Sequence, residues 1–318
     1  MRLPWPAFLT RFTAPSVSKY NRQPAPEFLF ERRPFTFDCG GRLLGQSSKN
    51  RVEIRAFLAG GKQAPYLLTR SEELNVSISD VPALIITADP SNMIAVGGSD
   101  RSDLFIRFCA RAEGNSEAEA RERLQQIAMT RRGSILSLSR STFDPGHHAM
   151  SYFLAEAPTH VQTVIHASYA PVEVRDMHGP VRVTASHARA KILETTGQVD
   201  ANAFAIDFAG SRGRISLDAE AEINLRMTAS KFEGTVLAWA QRPVRMLVPL
   251  GFQTPFQAIV HRSKDFVCRA DLCTTVKHQR KNGLHTFTHV GDGSAAPECV
   301  HLHSEQSTIV IDNFTGKN

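Results

Sequence analysis

From residue 172 the chain alternates apolar and polar positions in short bursts, and the bursts recur. Apolar pairs one residue apart stand at Val172/Val174, Val181/Val183, Ala190/Ile192 and Val199/Ala201, nine residues from each to the next. Ile206/Phe208, Ile215/Leu217 and Ile223/Leu225 follow at steps of seven, nine and eight. Alternation with period two marks a strand that buries one face. A short strand and a corner, twice over, predict a coil of 18 residues, and Gly179/Gly197 and Val174/Ile192 are 18 apart. Successive coils would pair in parallel at about 4.8 Å. One coil cannot bury its own inner face, so the whole stack is the folding unit. An antiparallel sandwich also shows turn signals every 8 to 12 residues or so, but repetition of nine with Gly in phase favours the solenoid.

Upstream the alternation is less regular. Leu74/Val76/Ile78, Leu84 to Thr87, Ile94/Val96, Leu104/Ile106/Phe108, Ile135 to Ser139 and Met150/Tyr152/Leu154 predict strands. One helix interrupts them. Ser116 with Glu119 three residues on is a capping box, and Ala120, Leu124 and Ile127 form one apolar stripe. Glu117 with Arg121 and Glu119 with Arg123 add ion pairs four residues apart. The helix is expected to end near Arg131-Arg132-Gly133, with Gly as its cap. Before residue 74, Phe28/Phe30, Phe35/Phe37, Val52/Ile54 and Tyr66/Leu68 suggest short strands, and the proline-rich residues 1–27 have no core pattern. The predicted fold class is mainly β: a basic arm with short strands (1–73), a β-rich cap of mixed strands with one short helix (74–158), and a parallel β-solenoid (159–318).

VEVRDMHGPVRV (172–183), ETTGQVDA (194–201) and GSRGRISLDAEAEINL (210–225) resemble the bacterial putative-adhesin, or β-strand-repeat, family of unknown function. VGDGSAAPECVHLHSEQSTIVIDN (290–313) looks like that family's last coil, and the helix near 117–128 before a strand ending in AEAP (155–158) fits its lead-in. The resemblance covers roughly residues 74–314. It implies a β-solenoid with an adhesin-like binding role and an envelope association, and it brings no catalytic residues.

Composition narrows the function further. Apolar residues at 42% and charged residues at 21% exclude wholesale disorder. Residues 1–74 contain 12 Lys+Arg and 6 Asp+Glu, and the remainder 25 of each, so the net charge of +6 lies in the arm. A solvated segment explains this excess and is favoured; with Trp5, Phe8, Phe12 and Tyr20 among its prolines, the arm would otherwise suit an anionic surface, or its strands would cap the stack. Cys39, Cys109, Cys268, Cys273 and Cys299 match no zinc or disulfide framework, which predicts free thiols in a reducing compartment, with Cys268 and Cys273 unbridged. No stretch of 18 apolar residues exists for a transmembrane segment, and MRLPWPAFLTRF is a poor secretory signal, so a cytoplasmic location is favoured.

Candidate chemistry is sparse. Asp176 and Glu194, 18 apart, are the best acidic pair for stacking on neighbouring coils, yet solvated surface explains them. His301 and His303 share one side of a strand, where Cys299, His285 or His289 are conceivable third ligands, but two imidazoles are not a metal site. Lys277-His278-Gln279-Arg280-Lys281 ahead of Asn282-Gly283 reads as a basic turn, and Gly291-Asp292-Gly293 as another turn. No phosphate loop, dinucleotide fingerprint, nucleophile elbow or nucleic-acid motif is present. The expected function is therefore a non-enzymatic scaffold or binding protein without catalytic, cofactor or metal residues. Its partner would be a protein, a polysaccharide or an anionic surface. The alternatives are a carbohydrate-active enzyme on a β-helix and a self-associating structural protein.

Overall fold

The computed structural model describes residues 37–38, 42–43, 66–80, 83–88, 92–133, 135–140, 149–291 and 299–314. The expectations on residues 1–36, on Val52/Ile54, and on Cys39, Asp292 and Gly293 lie outside them. Over these residues the protein is mainly β, with one α-helix, and its large sheet mixes parallel and antiparallel pairs. β1 (Phe37–Asp38) and β2 (Arg42–Leu43) form a separate antiparallel pair. The amino-terminal part of the main sheet comprises β3 (Tyr66–Ser77), β4 (Ala83–Ala88), β5 (Asn92–Ser99), β6 (Asp103–Gly114), helix α1 (Glu117–Gln125), β7 (Ile127–Arg132), β8 (Ile135–Arg140) and β9 (Ala149–Pro158). The middle comprises β10 (Gln162–Ala167), β11 (Val172–Arg175), β12 (Val181–Leu193), β13 (Gln198–Gly210), β14 (Arg212–Ala219), β15 (Ile223–Met227), β16 (Glu233–Ala240) and β17 (Val244–Val248). The last part holds β18 (Phe256–Val260), β19 (Phe266–Cys268), β20 (Lys277–Lys281), β21 (Leu284–His289), β22 (Cys299–Ser304) and β23 (Ile309–Asn313).

Two parallel ladders run through this sheet. The first passes through β8, β4, β10, the first half of β12, the first half of β13, β14, β16, β22 and β18. The second passes through β9, β5, β11, the second halves of β12 and β13, β15, β17, β23 and β19. Register explains the sequence spacing. Thr163 faces Val181 and Val181 faces Val199, each 18 residues on. A register shift between Ala185 and Arg189 shortens the next step, so Ala190 faces Ile206. Later coils lengthen, with Ile215 facing Val236. Pairing at a spacing of 18 thus holds from Thr163 to Val199 and not beyond.

Inward side chains line up in columns, one per strand position. Ile86, Ile165, Val183, Ala201, Leu217, Ala238, Leu302 and Ala258 form one such column in the first ladder, all buried. Where the strand reaches the corner the column is Ala88, Ala167, Ala185, Ala203, Ala219, Ala240 and Ser304. From β4 to β22 this corner holds only small residues, and Leu138 of β8 faces Ala88 at its end. The opposite corner is glycine-rich for the same reason: a Cβ on Gly197 would meet the carbonyls of His178 and Gly179 at 2.5 and 2.6 Å, and Gly234, at φ 125°, lies against the Gly213 carbonyl. Arg182 points out and Lys191 is half-buried beside Glu173, while Val183 and Ile192 point in, as alternation requires.

Antiparallel strands close the ends: β7 on β8, β6 on β9 and β3 on β6 at one, β21 on β18 and β20 on β21 at the other. The spatial order of coils departs from chain order at both ends. β4 and β5 lie inside β8 and β9, and the last pair in sequence, β22 and β23, lies between β16/β17 and β18/β19.

Two expectations need correction. Helix α1 starts as predicted, with the Ser116 hydroxyl accepting from the Glu119 amide at 3.2 Å, but it ends at Gln125. Ile127 to Arg132 is strand β7, because Ile127 and Met129 also fit period two, Thr130 is β-branched, and pairing with β8 supplies their backbone partners. Gly133 (φ 59°) turns β7 into β8 rather than capping the helix. The thiol expectation also fails. The 3₁₀ turn Asp271–Thr275 folds Cys273 back until its Cα lies 5.7 Å from that of Cys268, and the two form a disulfide. Cys109 is disulfide-bonded too, leaving Cys299 as the free cysteine among the described residues. The cysteines therefore no longer argue for a reducing compartment.

Candidate functional site

Alternation gives each ladder an outer face, and the two differ. Outward residues of the first ladder, including Arg182, Gln198, Asn202, Arg214 and Asp218, are exposed. On the second ladder Leu193, Asp207, Ala209, Asn224 and Leu247 are buried, and Glu173, Arg175, Lys191, Arg226 and Arg245 are half-buried. Leu193, Ala209 and Leu247 form a small apolar cluster of their own with Phe314, over whose ring the Arg226 guanidinium sits at 4.5 Å.

On the open face, register places residues in rows across the strands. Asn202, Asp218, Trp239 and His303 make one row, and Ser216, Leu237, His301 and Gln257 the next. Leu237 is 51% exposed, unusual for a leucine on a sheet. The His303 ring meets Trp239 edge-on at 6.4 Å and lies 6.4 Å from His261, and its buried Nε2 has no hydrogen-bond partner. His301 Nδ1 pairs with Gln257 Oε1 at 3.3 Å. Burial lowers the proton affinity of both imidazoles; at His303 neighbouring His261 lowers it further and Glu305 opposes. The neutral form of each imidazole, with one donor and one acceptor nitrogen, is thereby favoured. The Asn202 amide donates to Asp218 at 3.3 Å, while burial raises the Asp218 carboxyl against that bond, with Glu220 adding to the rise. Such a face can stack on a flat apolar surface and exchange hydrogen bonds beside it.

The residues singled out from the sequence are scattered. His301 and His303 do share a side, but Cys299 Sγ is directed to the Val300 carbonyl of its own strand at 3.8 Å. His285 pairs with His278 at 2.8 Å on the hairpin, and His289 is buried against Phe256, its Nδ1 2.8 Å from the Thr275 hydroxyl. Among the described residues no three His, Cys, Asp or Glu side chains are grouped to hold a metal ion. Asp176 and Glu194 stand at stacked corners in left-handed backbone, φ 57° and 49°, where their amides donate to the Leu193 and Ala209 carbonyls. Lys277 to Lys281 is a strand, and the turn is Asn282-Gly283 alone, both with positive φ.

Sequence reasoning missed Trp239, Leu237 and His261, although Leu237 and Trp239 are the out-of-phase residues of a run whose inward set is Val236, Ala238 and Ala240. It also missed a buried network on the second ladder. The Asp207 carboxylate, 1% exposed, accepts from Arg189 at 2.6 Å and from Asn224 at 2.8 Å, and Arg189 reaches Glu222 at 2.6 Å. Burial pushes the Asp207 carboxyl up against these partners. Asn224 Oδ1 is left buried without a partner, and the charged pairs tie neighbouring strands together as a structural bracket.

No family model matches the chain, and no curated protein does. Among solved structures it is similar to a putative cell adhesion protein from Clostridium sporogenes, at 8% identity and a TM-score of 0.32 over 77% of this chain and 99% of that one. It is also similar to a putative adhesin from Bacteroides fragilis (12%, 0.32, 80% and 100%) and one from Parabacteroides merdae (7%, 0.27, 80% and 99%). Likeness at this level carries no argument about what this chain does.

Proposed function

We propose that the chain is a non-enzymatic binding protein built as a β-solenoid, and that the outer face of its first ladder, around Leu237, Trp239, His301 and His303, contacts an extended polymer. Parallel register and inward columns support the solenoid; residues 74–158 would supply the first coils and cap, and 159–318 the rest of the stack. The observation that carries the function is the contrast between faces: the second ladder's outer residues are buried or half-buried, whereas the first presents exposed rows of polar and aromatic side chains at a strand spacing of about 4.8 Å. Catalysis on a β-helix would need ionisable groups converging in a cleft. Asp176 and Glu194 instead occupy corners. End-to-end polymerisation is opposed by the charges on the edge strands, Arg70, Glu72 and Glu73 on β3 and Lys277, Arg280 and Lys281 on β20.

The test is retention of the protein on insoluble cellulose, chitin and peptidoglycan, for the native chain, Trp239→Ala and Leu237→Asp. Retention of the native chain on at least one of these, reduced tenfold or more by each variant, is expected. Equal retention of all three proteins would remove the face from the function. Release of new reducing ends would establish the enzyme alternative, and light scattering that grows with concentration the self-associating one.

A further inference from the structure

The carboxy-terminal end of the stack carries a second surface, distinct from the open face. β20 is an edge strand of five exposed residues, three of them the cations Lys277, Arg280 and Lys281. Pairing of Val260 with His285 brings the segment after β18 beside the hairpin tip, adding exposed Arg262 and Lys264. Among the described residues the carboxylates nearby are few: Asp265 is half-buried, and Asp271 is engaged by the amides of Gly251 and Leu272 and by Asn313. At the same end stand two of the most exposed large apolar side chains of the described residues, Val290 at 54%, two residues beyond the Thr288 that faces Lys277, and Leu250 at 73%, beside the Gly251 that bonds Asp271. Hydrogen bonds hold them on one rim. The Gly251 amide donates to Asp271 at 2.7 Å, Thr275 bonds His289 at 2.8 Å, and Gly291 lies against Gln253 and Pro255. Lys277, opposite Thr288, continues that rim into the basic strand.

Charge alone on an edge strand is explained as protection against pairing with another sheet. It does not explain a leucine held out at a fixed turn beside the charges. Cations attract anionic headgroups, and apolar side chains projecting at the same level enter the headgroup boundary, gaining from burial what a soluble polyanion would not give them. We propose that this rim, Leu250 and Val290 with Lys277, Arg280 and Lys281, docks the protein onto an anionic lipid bilayer.

Flotation of the full chain with vesicles tests this. The native protein is expected to float with mixed phosphatidylcholine and phosphatidylserine vesicles and to stay behind with phosphatidylcholine alone. The triple variant K277E/R280E/K281E keeps the edge charged and should lose affinity by about a hundredfold, on the order of a few-fold per cation. Leu250→Ser, at an exposed position whose loss leaves the core intact, should lose flotation while its retention on heparin stays as in the native protein. Far-UV circular dichroism checks that both variants fold. Since the positive excess of the chain lies in residues 1–74, a chain lacking residues 1–27 is measured beside them and should still float. Failure of the native protein to float overturns the proposal. So does flotation unchanged in the triple variant, flotation lost only with residues 1–27, or retention on heparin without any binding to vesicles.

Discussion

Val183 and Arg182 are neighbours on β12 that point in opposite directions, one into a column of buried side chains and the other to solvent, 3.9 Å from Asp200. Val183→Asp would bury an unpaired charge and should cost several kcal/mol, whereas Arg182→Asp should change stability by less than about 1 kcal/mol. Thermal melts of the two variants separate them; equal melting temperatures would contradict the assigned faces. His289 carries a pH dependence. Burial lowers its proton affinity and Asp271 opposes, so the folded chain resists protonation while the unfolded chain takes a proton up near pH 6.5, about the ordinary value. The unfolded state therefore binds more protons just below that pH, and stability falls as pH drops from about 6.5. Denaturation midpoints measured downward from neutrality should decline in the native protein and decline less in His289→Gln. Parallel declines would place the effect elsewhere.

At the scale of elements, the alanine corner of the first ladder is the most constrained feature. Ala203 has Ala185 on one side and Ala219 on the other, so Ala203→Leu must displace two coils at once and should destabilise by about 1–3 kcal/mol or more. An unchanged denaturation midpoint would show the corner to be looser than its columns imply. Strands were legible in the sequence because period two with branched side chains repeats wherever one face is buried. The end of α1 was not, since Ile127 continues a helical stripe and also begins an alternating strand, and only pairing with β8 decides. The Asp207 bracket was hidden for a different reason. Its partners lie 18 and 17 residues away, and the register shift after Ala185 makes Arg189 reach diagonally to Asp207 while facing Ala205. Trp239 was overlooked because a sequence read for its buried set discards the residues between.

At the scale of the whole molecule, the disulfide-bonded cysteines of the described residues stand on β6 and at β19, towards the two ends of the sheet. Alkylation of the unfolded, unreduced protein should label Cys299 and leave Cys109, Cys268 and Cys273 protected until a reductant is added. Labelling of Cys268 and Cys273 without reductant would restore the sequence-based expectation. Reduction of so short a loop should lower stability by about 2 kcal/mol. The bridge was invisible in the sequence because it depends on a 3₁₀ turn that spacing alone does not announce.

The position of β22 and β23 between earlier strands bears on how the chain is made. A ribosome delivers residues in order, and β16/β17 and β18/β19 emerge long before the strands that join them. Until residues 299–313 are released, the growing stack has an unfilled slot one coil wide, with the backbone groups of β16 and β17 unpaired on that side. β22 and β23 thus act as a keystone set after the strands on both sides, and a nascent chain stalled short of residue 299 would present two open edges to any chaperone nearby.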